Sequence, residues 1–383
     1  MSKLEVLRIG IPGDLLIPKL YLYSFLNLVE ASKDEIGHYI ELRSSDILGA
    51  ILDGIKTVKE ILEKRRKEKS LRRLSELPMS WDDKVGFAKL CSELKCDLDS
   101  IAILEAYSDV LKSPRVGGFE RLRRGLKNFD IGDEGYVLPS IFKLERYALT
   151  RGPFFKDGFS KSQKVGVSSD FFVLMLAGYL VSRIGYTRLD EKNWASVHVL
   201  PLELAWSRSC WLILQERLSG LWYGIRPADA LVLHLLISLW DLLKSDPHNL
   251  MILGVTDPIG PTPAVASVSI NAPLREVYVR AERSLESILR EEWSKNSLTW
   301  LIRKSLSIDQ PGRDVAEKIV KLIFLSIQDD IRALEELSLM SSRLETRILA
   351  TKQPKEDAHE LLAIARDARR IAGRLLEHRF KLV

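Results

Sequence analysis

Cysteine is scarce: Cys91, Cys96 and Cys210 are the only three in 383 residues. An odd, sparse set argues against a disulfide framework and for a reducing compartment. Asparagine (six) and glutamine (five) are also rare, while charged residues make up 28% of the chain. Few heat-labile amides beside abundant Lys, Arg and Glu is the compositional lean of heat-adapted proteins. Long hydrophobic runs are missing too. The longest, Phe171 to Val181 and Ala230 to Trp240, reach about half of the roughly 20 residues that a membrane-spanning helix needs. The opening MSKLEVLRIG lacks the apolar core of a signal peptide, so a cytoplasmic location is expected. With 46% apolar residues, the chain reads as a soluble globular protein of two or three domains.

Catalytic signatures are equally thin. No GxxxxGK[ST] loop occurs, no GxGxxG follows a strand, and GxSxG is missing. Ser92 and Lys95 match S-x-x-K, a two-residue coincidence without its usual companions. The six histidines are scattered, and Cys91 and Cys96 have no second pair downstream, so they read as ordinary thiols and not as a zinc site. No cofactor, metal or catalytic site is expected. The carboxylate pairs Asp82-Asp83 and Asp329-Asp330 are the positions at which a metal-dependent nuclease would hold an ion. A solvated helix turn accounts for Asp329-Asp330 more simply.

What the chain does have is a concentration of positive charge. Between Lys59 and Arg73 lie eight basic and three acidic residues, an excess equal to the whole chain's net charge of +5. The helix that precedes it has apolar residues at Ile51, Ile55, Val58 and Leu62, one buried face at helical period. From Glu63 to Ser70 no apolar residue occurs, and the stripe resumes at Leu71, Leu74 and Leu77. The window is therefore expected outside the core. Pairs four apart, Glu60 with Lys64 and Glu63 with Lys67, neutralise part of it. Lys64, Arg65, Arg66, Lys67, Lys69, Arg72 and Arg73 remain as candidate contacts to a polyanion. A second basic stretch, RVGGFERLRRGLKNF, adds Arg115, Arg121, Arg123, Arg124 and Lys127 beside flexible glycines. Arg366, Arg370 and Arg374 recur every four residues on the last helix, where a solvated bundle face explains them better.

The patterning predicts an α+β fold, predominantly α-helical. Residues 1–168 read as a mixed N-terminal region whose first 45 residues are strands and turns. Residues 169–272 are an apolar α/β block: a helix capped by Ser169 or Asp170, the strand WASVHVLP, a helix over LELAWSRSCWLILQERL, a helix begun by Pro227 and the strand NLMILGVTD. Trp194, Trp206, Trp211, Trp222 and Trp240 fall in it and are expected in the core. Residues 273–383 read as three long helices, about 274–306, 313–350 and 354–380, in an antiparallel bundle.

The order of these features, with KVGVSSDFFVLMLAGYLVSRIG leading into WASVHVLPLE, resembles the large subunit of archaeal type I-A CRISPR interference complexes. The resemblance implies a subunit without an active site of its own, which helps to recognise the short motif beside the target and to hold opened DNA. It implies target DNA and guide RNA as partners, with the complex's backbone and small subunits and a helicase-nuclease recruited in trans. Under it, Lys161, Gln163 and Lys164 are the candidate groove contacts. Two other readings stand beside it: a helical scaffold docking on an acidic protein, and the nuclease already mentioned.

Overall fold

The first 45 residues, expected as strands and turns, contain a helix. LIPKLYLYSFL is apolar on nearly every side, so it carries no periodic stripe, and it folds as α1 (Leu16–Leu26) with most of its residues buried. Pro18 lies in its first turn, where a missing N–H costs nothing. Around it, β1 (Glu5–Gly10), β2 (Ser32–Ile36) and β3 (Tyr39–Ser44) form an antiparallel sheet in the order β1-β3-β2. Leu7 faces Leu42 and Ile9 faces Ile40, which puts four buried apolar side chains on its inner face.

The protein, seen in a computed structural model, is described over residues 4–12, 15–132, 135–142, 144, 165–189, 193–308, 310–350 and 357–380. Lys161, Gln163 and Lys164 lie outside these. Fourteen helices and three sheets among the described residues make the fold α+β and predominantly helical. The chain divides into two units. The first comprises Met1–Tyr186, Trp194–Leu221 and Leu250–Ile270; the second comprises Thr187–Asn193, Trp222–Asn249 and Asn271–Val383. Residues 169–272 thus do not stand as a block of their own. Their strands join one sheet in the first unit, while 222–249 packs with the helices of the second.

In the first unit, α2 (Ile47–Lys67), α3 (Trp81–Leu94), α4 (Ser100–Lys112) and α5 (Gly118–Gly125) precede the short strands β4 (Tyr136–Val137) and β5 (Gly166–Val167). Helix α6 (Ser169–Ser182) follows, and every one of its residues is buried. Its cap is Ser168, whose hydroxyl accepts from the Phe171 N–H at 3.2 Å, one residue before the expected position. Asp170 is buried instead against Arg121 and Tyr107. Helix α1 crosses α6 at Gly178, where a Cβ would lie 1.7 Å from the Tyr21 carbonyl oxygen. Strand β6 (Arg183–Arg188) leaves α6 directly. It joins β7 (Trp194–Pro201), β8 (Gly220–Leu221), β9 (Leu250–Thr256) and β10 (Val265–Ala272) in the order β10-β9-β7-β6-β8. The helix expected over residues 202–218 is α7, and it begins only at Arg208, where Ser207 caps it.

In the second unit, Pro227 directly precedes α8 (Ala228–Ser238), which is followed by α9 (Trp240–Ser245). The three long helices expected after 273 are five. The first divides into α10 (Leu274–Leu289) and α11 (Glu292–Leu306), and the second into α12 (Arg313–Ser326) and α13 (Ile331–Leu349). The second break is explicit: Asp329 adopts a left-handed φ of 71°, and the Asp330 carboxylate caps the new helix by accepting from the Ala333 N–H at 3.0 Å. Helix α14 (Ala358–Phe380) buries Ile364, Ala365, Ala368, Ile371, Ala372 and Leu375, the expected stripe. Four of the five tryptophans expected in the core are buried; Trp194, at the start of its strand, is half exposed.

The α1–α6 crossing yields a direct test. Gly178→Ala forces the two backbones apart and is expected to cost about 2–3 kcal/mol, read as a lowered denaturation midpoint. An unchanged midpoint contradicts the close approach.

Candidate nucleic-acid interface

Helix α2 carries the charged window at its C-terminal end. Asp46 caps it, accepting from the Gly49 N–H at 2.7 Å, and its buried face includes Ile47, Ile51, Ile55, Val58 and Leu62. The next position of that stripe is Arg65, three residues on, and Arg65 is 3% exposed. The expectation that all of Glu63 to Ser70 faces solvent therefore fails at this residue. Arg65 is not available to a polyanion. Its guanidinium donates to the carbonyls of Leu180 (2.7 Å) and Val181 (3.4 Å), in the last turn of α6. There the free carbonyls and the helix dipole favour a cation. Burial, and then the nearby charge of Arg183, pull the guanidinium pKa down to about 9.

Arg183, the first residue of β6, reaches back the other way. It is 2% exposed, and its Nη1 donates to the carbonyls of Arg73 (2.9 Å) and Glu76 (3.1 Å). Its Nη2 donates to the Asp257 carboxylate (2.5 Å) and the Tyr186 hydroxyl (2.6 Å). Two buried arginines thus clasp residues 65–76 to residues 180–183 in opposite directions. Leu71 and Leu74 add apolar anchors beneath the same segment.

The remaining basic residues sort by partner. Lys64 pairs with Glu216 at 2.9 Å, and Arg66 pairs with Asp99 and donates to the Ser100 hydroxyl. The expected pairing of Lys64 with Glu60 is not formed; Glu60 pairs with Lys56. Lys67, Lys69, Arg72 and Arg73 are exposed, and none has a carboxylate partner among the described residues. In the second basic stretch Arg121 is held by Asp170 at 3.0 Å, Ser169 at 2.9 Å and Glu93 at 3.4 Å. It is half-buried and acts as an internal tie. Arg123 pairs with Glu120 at 2.9 Å. Arg115, Arg124 and Lys127 are exposed, again without a carboxylate partner among the described residues. On α14, Arg366 and Arg369 share Glu345, Arg370 pairs with Asp367, and Arg374 pairs with Glu291 and Glu377. That face is an ion-paired bundle surface.

The other singled-out groups have structural uses. Asp83 forms a capping box with Ser80, and its two oxygens accept from the Ser140 N–H and hydroxyl, both at 2.6 Å. Asp329 pairs with Arg379 at 3.4 Å. Among the described residues, no three His, Cys, Asp or Glu side chains form a metal-binding group. No described helix is long and apolar enough to cross a membrane.

A buried polar chain runs inward from the clasp. Ser196 donates to Asp257 at 2.9 Å and lies 3.3 Å from His198 Nε2, while Ser182 lies 3.1 Å from His198 Nδ1. His198 is fully buried. Burial, then the charges of Arg183 and Arg65, hold its pKa well below the usual histidine value.

With this geometry in view, comparison with known proteins identifies the class. The chain matches the family described as CRISPR-associated protein, CsaX, over residues 45–345, and it belongs to that family. The matched span contains the charged window and both clasping arginines. No curated protein and no solved structure matches the chain.

Two outcomes test the clasp. Arg183→Ala removes the counter-charge of Asp257 and a donor from each of two carbonyls and is expected to cost about 3–5 kcal/mol, read by chemical denaturation; a loss under 1 kcal/mol contradicts the assignment. Acid acts through His198. Below about pH 6.5 the unfolded chain gains a proton there that the folded chain refuses, so stability falls by up to ~1.4 kcal/mol per pH unit. His198→Gln is expected to flatten that part of the stability–pH curve, and equal slopes in both proteins contradict it.

Proposed function

We propose that this CRISPR-associated protein is the non-catalytic large subunit of a type I-A interference complex, and that it grips nucleic acid through Lys67, Lys69, Arg72 and Arg73. One observation carries the reading. These four cations lack carboxylate partners among the described residues, yet the backbone beneath them is fixed by Arg65 and Arg183. A surface that only needed solvation would gain little from being held so firmly. A surface that meets a phosphate backbone gains pre-organisation, because little ordering remains to be done on binding.

Contacts of this type position a strand and read no sequence. In an RNA-guided complex that division of labour suffices, since base pairing to the guide reads the target and protein reads the adjacent motif and the backbone. The partners are then target DNA and guide RNA, the backbone and small subunits, and a helicase-nuclease that cleaves in trans. Arg115, Arg124 and Lys127 extend the grip on the second basic stretch. The amide-poor, charge-rich composition suits a thermophilic archaeal source.

Fluorescence anisotropy with duplex and opened DNA across a salt series tests this. Replacing Lys67, Lys69, Arg72 and Arg73 by alanine is expected to weaken binding to every sequence alike. It should also flatten the slope of log Kd against log salt, by about 3.6 on duplex and about 2.8 on single strands, at roughly 0.9 and 0.7 for each of four lost phosphate contacts. An unchanged slope removes these residues from the interface. A protein that binds no DNA at low salt, alone or with its partner subunits, overturns the function, and capture of an acidic protein that survives nuclease treatment favours the scaffold.

A further inference from the structure

A recess of 380 Å³ opens in the first unit between the C-terminal end of α2 and helix α7, within the range of small-molecule sites. Its apolar walls include Ile61, Leu71 and Leu212, and Gln215 lines it as well. Gln215 is 3% exposed, and neither its amide nitrogen nor its amide oxygen has a hydrogen-bond partner among the described residues.

The charges around the recess limit what it can hold. Arg65 is among the lining residues, but its guanidinium is spent on the α6 carbonyls. Glu68 and Glu216 also line it, and both are exposed. Lys64 lines it too and is paired with Glu216, which leaves the Glu68 carboxylate to repel a phosphate. The occupant that fits is a flat, uncharged group that slides between aliphatic walls and offers a donor beside an acceptor. A nucleobase has that chemistry, and a carboxamide pairs best with adenine, through two parallel hydrogen bonds. The exposed Lys64–Glu216 pair joins the two helices. A pair of this kind is worth about 0–1 kcal/mol, so it yields readily to an entering group. The cations proposed to hold phosphates, Lys67, Lys69 and Arg72, lie within three residues of lining positions on the same stretch of chain.

We infer that this recess takes one unstacked base, preferentially adenine, from a nucleic-acid strand whose phosphates rest on Lys67, Lys69 and Arg72. The inference rests on the nucleic-acid reading above and adds a base preference to a grip that otherwise has none. Extruding a base from a duplex costs a few kcal/mol, and a strand that is already single pays least. Opened target is therefore the favoured substrate over closed duplex.

The test is fluorescence anisotropy of the full chain with short single strands of adenine, of thymine and of abasic backbone. DNA and RNA forms are both used, because the base edge is common to the two. The wild type is expected to prefer adenine about tenfold. Gln215→Leu is expected to lose that preference, keep its affinity for thymine and abasic strands, and melt no lower than wild type. Leu212→Trp fills the recess and should lose the preference in the same way, which provides a second readout if Gln215→Leu folds poorly. A wild type that binds all three strands equally, or variants that retain the adenine preference, overturns the recess while leaving the grip intact. A wild type that binds no strand overturns the nucleic-acid reading itself.

Discussion

Two buried guanidiniums, Arg65 and Arg183, hold the first unit's charged surface in place. Each donates to backbone carbonyls on the segment that carries the other. The arrangement satisfies several requirements together. The last turn of α6 has carbonyls with no intrahelical partner, and Arg65 supplies donors to two of them. The stretch after α2 closes in a single 3-10 turn, Arg72–Ser75, and Arg183 ties it down by donating to the carbonyls of Arg73 and Glu76. Burying a charge is costly unless it is met by such acceptors. Asp257 adds a carboxylate for Arg183, and through Ser196 it connects the clasp to His198 in the core.

The same clasp divides the basic residues by use. Arg65 and Arg121 are internal ties despite sitting in the two most basic stretches of the sequence. Lys64, Arg66 and Arg123 are answered by carboxylates nearby. What remains without such partners is a short strip whose backbone cannot shift without disturbing the core. Charge density along a sequence thus overstates the free positive surface, and burial and pairing reduce it to the residues without a carboxylate partner. Membership of a CRISPR-associated family gives that strip a context in which holding a nucleic-acid backbone is useful work.

Sequence patterning revealed the fold unevenly, for physical reasons. The α2 and α14 stripes were legible because each helix buries one face and leaves the other in water. Helix α1 was not, because burial on nearly every side erases the period on which such a reading depends. The splits at 290–291 and 327–330 lack Gly or Pro, so nothing in composition marked them; Asp329 takes the left-handed angle itself. Arg65 was hidden by its type, although its spacing from Leu62 continued the stripe. Gln215 could not be associated with the charged window at all. Their helices meet only in three dimensions, with 152 residues separating Lys64 from Glu216.

The clasp bonds run from side chain to main chain, and that has a consequence for how this protein can change. A carbonyl oxygen is present whatever residue supplies it, so Arg183 holds positions 73 and 76 irrespective of their side chains. Outward-facing residues on the strip are thereby released from any duty to the fold. Lineages facing different invaders can rewrite those side chains, in number and in charge, while two inward arginines keep the platform at the same height and angle. Rigidity below is what makes variation above affordable.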